Sequence, residues 1–402
     1  MHPLIHDWNV VDEHLDHLPA PAIDDETLRD GLQSPSVKTP SIGEKLEILH
    51  HLSALGIETA DIGLPGAGPH VVADVERLAR EIVEARLPMR ANCAARTVIA
   101  DIEPVARISQ AVGMPIECCT FIGSSPIRQY AEDWTLDRLV ALTEQAVSFA
   151  VKEGLPVMYV TEDTTRADPE SLRRLYTAAI RAGASRVCIA DTVGHATPAG
   201  AAAVTRFVKS VVDACGGGVG IDWHGHKDRD LAIANSLAAW AAGATRLHGA
   251  VLGIGERVGN TPTDLLLVNL VLMGKRTADL TTLPALGELV ARACGVPLPP
   301  NYPVLGHDAF RTATGVHAAA VIKAYRKQDP ALVDAVYSGV PASLVGREQA
   351  IEIGPMSGKS NVTYWLERRG LEAHEARVER IFAAAKAAST VLTESEIRAL
   401  LE

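Results

Sequence analysis

The chain has no excess of basic residues, no C-x-x-C pair and no long apolar run, and each absence removes a class of function. Lys and Arg number 38 against 49 Asp and Glu, giving a net charge of -11 and a pI near 5.7. Nucleic-acid and membrane-surface partners select a basic face, so neither is expected. The six cysteines, Cys93, Cys118, Cys119, Cys188, Cys215 and Cys294, fall mostly in apolar stretches without paired spacing. They read as free thiols in a reducing cytoplasm. No signal peptide and no span of about 18 apolar residues is present, so no membrane-crossing helix is expected. Finally, no G-x-G-x-x-G follows the first strand-like run, which counts against a dinucleotide-binding sheet.

What remains is a chain of 402 residues, 47% hydrophobic and 22% charged, able to bury a large core. The length suggests two or three domains unless a closed α/β barrel takes about 250 residues by itself. From residue 22 two textures alternate steadily. Strand-like runs at 22–30, 59–64, 89–95, 116–123, 156–162, 186–192, 220–226 and 245–253 are each followed by an amphipathic helical pattern. Several helical patterns stop at glycine, at Gly56, Gly113, Gly154, Gly183 and Gly243, which suits a left-handed cap. Strands alternating with helices of this length pair in parallel through right-handed crossovers. Eight such units predict an α/β fold, a (β/α)8 TIM barrel, over residues 22–278. A doubly wound open sheet is the competing layout, though it usually has fewer units.

Around the barrel the texture changes. Residues 1–21, rich in His, Asp and Pro, read as an irregular arm, and 279–306, containing Leu298-Pro-Pro-Asn-Tyr-Pro303, as a linker. Residues 307–402 predict a small helical subdomain, with helices at 318–326, 361–369, 374–388 and 394–401.

The chemistry centres on His224-Gly-His226, at the end of the seventh strand. Imidazoles at i and i+2 of an extended backbone point to the same side and can reach one ion. On a TIM barrel, functional groups sit at the carboxyl ends of the strands. The first strand ends in Asp25-Glu-Thr-Leu-Arg-Asp-Gly-Leu-Gln33, and the eighth runs into Gly253-Ile-Gly-Glu-Arg-Val-Gly-Asn260. Strands 7, 8 and 1 are neighbours in a closed barrel, so Asp30, His224, His226 and Asn260 are expected to converge on a divalent ion. Mixed carboxylate, imidazole and amide donors favour Mg2+ or Mn2+, with Zn2+ also compatible. The alternative is a pair of partly buried histidines satisfied by backbone groups.

These three motifs, in this order, resemble the DRE-TIM metallolyase superfamily. They are most similar to its Claisen-condensing branch, the 2-isopropylmalate, homocitrate and citramalate synthases. Met356-Ser-Gly-Lys-Ser resembles that branch's His-Ser-Gly-Arg segment and extends the likeness to about residue 370. The lyase branch carries a Gly-Gly-Cys-Pro loop where this chain has Gly-Glu256-Arg257, which favours condensation. The resemblance implies acetyl-CoA as co-substrate, adding through its methyl carbon to the ketone of a metal-bound 2-oxo acid, followed by thioester hydrolysis. A retro-Claisen lyase on the same scaffold and a non-catalytic binding protein are the alternatives.

The resemblance also assigns roles. Arg29, beside Asp30, is expected to hold developing oxyanion charge. Glu162, in Thr161-Glu-Asp-Thr-Thr-Arg166, partners the acid/base group, and Thr192 binds the carboxylate of the 2-oxo acid. Gln33 closes the first motif as a further substrate contact. His317, in Thr314-Gly-Val-His317, supplies the proton-transfer histidine, often to a partner subunit, so a homodimer is expected. Relatives regulated by leucine carry a further domain, for which no sequence follows Glu402, so such feedback is not expected.

Four positions depart from the branch's pattern, Asp61, Arg128, Lys227 and Thr312, and the first two are expected on one wall. Asp61 stands where synthases commonly have glutamate, and Arg128, in Ser125-Pro-Ile-Arg128, where they have histidine. Both are expected near the substrate. Arg128 would pair a second carboxylate or phosphonate on the 2-oxo acid, or else Glu132 or Asp133 nearby.

Overall fold

A computed structural model of the protein describes residues 2–9 and 17–401; residues 10–16 of the expected arm lie outside the described residues. The chain forms two compact units. One comprises Asp12–Ala278 with Ala285–Pro297, and the other Met1–Val11, Asp279–Pro284 and Leu298–Glu402.

The first unit is the expected TIM barrel. Its strands are β1 (Ala22–Asp25), β2 (Thr59–Asp61), β3 (Arg90–Arg96), β4 (Glu117–Gly123), β5 (Val157–Glu162), β6 (Arg186–Asp191), β7 (Gly220–Gly225) and β8 (Arg246–Gly249). All pair in parallel in sequence order, and β1 closes on β8 over four registers from Ala22↔Arg246 to Asp25↔Gly249. That closure excludes the open sheet.

Local sequence explains the helices between strands. Ser41 accepts from Glu44 N while Glu44 bonds back to Ser41, a capping box that starts Ile42–Ala54. Asp168 and Thr197 cap Pro169–Arg181 and Pro198–Ala214, with proline in the first turn, where its missing N–H costs nothing. Gly113 ends Ile99–Val112 at φ 68, the left-handed cap expected of it. Ile48, Leu49 and Leu52 of the first of these helices are fully buried, as are Leu78 and Ile82 of Pro69–Glu84. No described helix is long and apolar enough to cross a membrane.

Three strands, β1, β2 and β8, are shorter than their patterns. β1 stops at Asp25 because Asp25 Oδ1 accepts from Thr27 N at 3.0 Å. The Glu26 carbonyl then accepts from both Arg29 N and Gly31 N, at 3.1 and 2.9 Å. The chain turns instead of extending, and Asp30 lies in a 3-10 turn, Asp30–Gln33.

The bottom of the barrel is closed by charge, not by aliphatic side chains. Arg246, 1% exposed, donates to Asp222 Oδ2 at 2.5 Å and Glu117 Oε2 at 2.6 Å. Arg186 donates to Asp222 Oδ1 at 2.6 Å, and Asn92 binds both oxygens of Asp24.

In the second unit the helices Gly315–Arg326, Lys359–Arg368, Glu375–Ala387 and Glu394–Ala399 match their expected positions closely. Val362, Trp365, Leu366 and Ile381 form one apolar cluster, and Ala318, Val321 and Ile322 another. A short helix, Pro330–Ala335, and a parallel two-stranded pair, β9 (Arg311–Thr312) with β10 (Ala350–Ile351), were not legible as elements. Runs of two residues carry no period. The stretch read as a linker holds a further helix, Leu283–Cys294.

Replacing Arg246 by alanine leaves half-buried Glu117 without its cation and takes from buried Asp222 one of three cationic partners, the others being Arg186 and His248. Urea unfolding of Arg246→Ala is expected to show a loss of about 3–5 kcal/mol relative to the parent chain; an unchanged midpoint would count against the charged floor as a structural element.

Candidate metal centre and active site

The open end of the barrel holds a cavity of about 270 Å³. Asp30, His224 and His226 line it, and each offers a ligand atom within 4.8 Å of the others. His224 near the end of β7 and His226 just beyond it keep the two-residue alternation, and their Nε2 atoms face each other at 3.1 Å. Asp30 arrives from the turn after β1. Asn260 comes from the loop after β8, which is pinned to the end of β7 by a bridge between His226 and Asn260. Its Nδ2 donates to Asp30 Oδ1 at 2.7 Å. Gly255, at φ 140, allows this approach: a Cβ there would lie 2.2 Å from Asn260 Nδ2 and 2.9 Å from Asp30 Oδ1.

These residues fit a divalent ion on three observations. First, His226 Nδ1 and Asn260 Oδ1 are buried with no hydrogen-bond partner among the described residues. Second, burial and neighbouring His224 push the His226 pKa down to about 4, which leaves a neutral imidazole with a free lone pair. Burial opposes ionisation of Asp30, but Arg29 and the histidines outweigh it and hold its carboxyl below the usual range. Third, the surrounding charge is short of cations. Beside the proposed donors, Glu26, Asp30 and Asp61 share the single guanidinium of Arg29. A divalent cation would add positive charge among them.

Behind the first set of donors lies a group that sequence reasoning missed. Glu26 Oε2 meets His224 Nδ1 at 2.7 Å, while Glu26 Oε1 meets His248 Nδ1 and Arg29 Nη2, each at 3.0 Å. His248 Nε2 lies 2.9 Å from Asp222 Oδ2. With a carboxylate on each nitrogen, His248 is an imidazolium: burial works against the charge, but Asp24, Glu26 and Asp222 raise its pKa to about 10. Glu26 is held as a carboxylate, its pKa well below the usual range, because His224, Arg29 and His248 overcome its burial. Two alternations carried the signal. Glu26 follows inward-facing Asp24 by two residues, and His248 follows Arg246 by two.

Arg29 is the hub. Its Nε donates to Asp61 at 2.6 Å, Nη1 to Asp30 at 2.8 Å and Nη2 to Glu26 at 3.0 Å. Burial, with Glu26 and Asp24 nearby, raises the Asp61 pKa to about 7 despite Arg29. Arg29, Asp61, Gln33, Glu162 and Thr192 all line the same cavity. Glu162 is half-buried, and burial raises its carboxyl although Arg128 partly offsets this.

Three expected site residues are not among those lining the cavity: Asn260, which reaches it only through its contact with Asp30, and Arg128 and His317. Arg128 pairs with Glu132 at 3.0 Å and stands 5.7 Å over the Trp134 ring, the local alternative foreseen for it. His317 belongs to the second unit, where it is exposed and stacks on Tyr337 at 4.2 Å.

With this geometry in hand, comparison with known proteins places the chain. The HMGL-like family model matches residues 20–290. The chain belongs to the HMGL-like family. Among curated HMGL-like relatives, a probable 2-isopropylmalate synthase of Methanopyrus kandleri is 33% identical over 361 residues, spanning 89% of this chain and 67% of that protein. The homocitrate synthase AksA of the same organism is 34% identical over 372 residues, spanning 90% and 86%. Among solved structures, the HMG-CoA lyase of Brucella melitensis superposes with a TM-score of 0.58 at 19% identity, over 69% of this chain and 99% of that one. That likeness speaks to the shared HMGL-like barrel alone.

Because Glu26 fixes which nitrogen of His224 faces the cavity, Glu26→Gln is expected to weaken Mn2+ binding by about 10–100-fold in calorimetric titration. An affinity equal to that of the parent would show that Glu26 does not orient the ligand.

Proposed function

We propose that this HMGL-like protein is an acyltransferase that condenses an acyl-CoA, with acetyl-CoA as the expected donor, with a 2-oxo acid and then hydrolyses the thioester. The observation that carries this reading is the gathering of one carboxylate, two imidazoles and one amide at the open end of the barrel. The synthase names of the relatives, at 33–34% identity over most of the chain, support it.

Asp30, His224, His226 and Asn260 are the proposed ligands of a divalent ion, Mg2+ or Mn2+ by donor type, with Zn2+ compatible. Such an ion supplies Lewis acidity toward the ketone of a 2-oxo acid. Arg29, fixed by three carboxylates, is proposed to hold Asp30 in place and to offset the negative charge that grows on the ketone oxygen. His317 is proposed to take a proton from the methyl group of the acyl-CoA, with Glu162 orienting it. The methyl carbon then bonds to the ketone carbon, the C=O pair moves to oxygen, and that oxygen takes up a proton. Water finally cleaves the thioester to a carboxylate and free CoA.

Thr192 and Gln33, with hydroxyl and amide donors, and Asp61 are proposed substrate contacts, with Arg128 at their margin. An acyl-CoA substrate and six free cysteines, five of them buried, suit the cytoplasm. A homodimer is proposed on the expectation that His317 serves a partner's barrel.

Thiol release is the test. Free CoA is expected only when acetyl-CoA, a 2-oxo acid and a divalent ion are all present; formation of acetyl-CoA, its thioester intact, from a hydroxyacyl-CoA alone would point to cleavage instead. Arg29→Ala and His317→Ala are each expected to lose at least about 100-fold in kcat. Mixing the two variants should restore activity if His317 acts on a partner copy, and should not if it acts within its own chain.

A further inference from the structure

The cavity is divided electrically along the barrel. β2, β7 and β8 present Asp61, His224 and His248, the residues just after β1 and β7 add Glu26 and His226, and the turn that follows β1 adds Arg29 and Asp30. β3 to β6 present a mostly apolar surface, with Glu162 at the end of β5 its one ionisable carboxyl. Ala94, Cys119, Phe121, Met158, Val160 and Cys188 line the opposite wall. Strand register makes that wall continuous: Ala94 pairs with Cys119, Cys119 with Met158, Phe121 with Val160, and Val160 with Cys188. The seam on one side is sharp, because Ala190 of β6 pairs with His224 of β7.

Among the described residues, no unpaired cation reaches the apolar wall. Arg29 is shared among three carboxylates, His248 is held between Glu26 and Asp222, and Arg257 is bound to Asp228 at 2.9 Å and to the Thr192 carbonyl at 2.6 Å. Below the wall, Arg246 already serves Asp222 and Glu117. Arg128 stands outside the lining with Glu132. A carboxylate or phosphonate pushed toward Met158 and Val160 would lose its water and find no counter-charge. An alkyl group would gain by leaving water.

On the condensing reading above, we infer that the 2-oxo acid carries an uncharged, aliphatic side chain, which lies against the wall formed by Cys119, Met158, Val160 and Cys188. The charged half then holds the ketone and carboxylate end. Val160, half-buried at the middle of this wall, becomes a size determinant for the side chain.

The test compares kcat/KM for CoA release from acetyl-CoA with 2-oxoisovalerate, 2-oxoglutarate and phosphonopyruvate, in Mg2+ or Mn2+. The aliphatic acid is expected to lead by at least about 100-fold. Equal or better use of either dianionic acid overturns the inference while leaving the condensing reading intact. Val160→Ala is expected to shift the preference about 10-fold toward the longer 2-oxo-4-methylpentanoate, and no shift counts against the wall as the side-chain site. Arg128→Ala should leave the ratio between 2-oxoisovalerate and 2-oxoglutarate unchanged; selective loss of the dicarboxylate would overturn the inference. If no acid releases CoA, the condensing reading falls. The side-chain inference is then decided by calorimetric binding with Mn2+, where tighter binding of the aliphatic acid supports it and tighter binding of the dicarboxylate overturns it.

Discussion

Glu26 is a carboxylate with almost no access to water, and its charge has to be met by protein groups. It is met from three sides, by His224, His248 and Arg29. Each of these groups is fixed in turn by what it shares with its next neighbour: His248 with Asp222, Asp222 with Arg246, and Arg29 with Asp30 and Asp61. A chain of charge-assisted contacts therefore runs from the floor of the barrel to its mouth. Removing any member leaves a charge in a medium that solvates it poorly. The rigidity needed to hold an ion and a small acid in register comes from this shared pairing.

The same pairing accounts for the division of the cavity. Placing the ion ligands with Glu26 and His248 on β7, β8 and the segments that follow β1, β7 and β8 leaves most cavity-facing positions of β3 to β6 to apolar and sulfur-containing side chains. Parallel pairing matters here, because every strand delivers its carboxyl end to the same rim. Chemistry and side-chain accommodation can then face each other across one barrel axis.

The fold was legible because its signals are local. Alternation of period two in β7 and capping residues such as Ser41, Asp168 and Thr197 act within a few residues, and the eight strands fall close to where those patterns put them. Of the site, Asp30, His224, His226 and Asn260 were legible because neighbouring strands can be inferred from order in a closed barrel. Glu26 and His248 were not singled out, although Glu26 lies within the first motif, since nothing local shows what either one touches. Their meaning comes from contacts 198 and 222 residues apart in the chain. Arg128 illustrates the converse: a cation in an unusual motif position is satisfied by Glu132, one helical turn away.

The central claim is that one divalent ion belongs among Asp30, His224, His226 and Asn260. Anomalous diffraction from crystals grown with Mn2+ addresses it most directly. The account predicts a single strong peak within coordination distance of Asp30, both histidine rings and the Asn260 amide oxygen. A peak centred instead on Glu26 and His248, or none at these residues at saturating Mn2+, would contradict it.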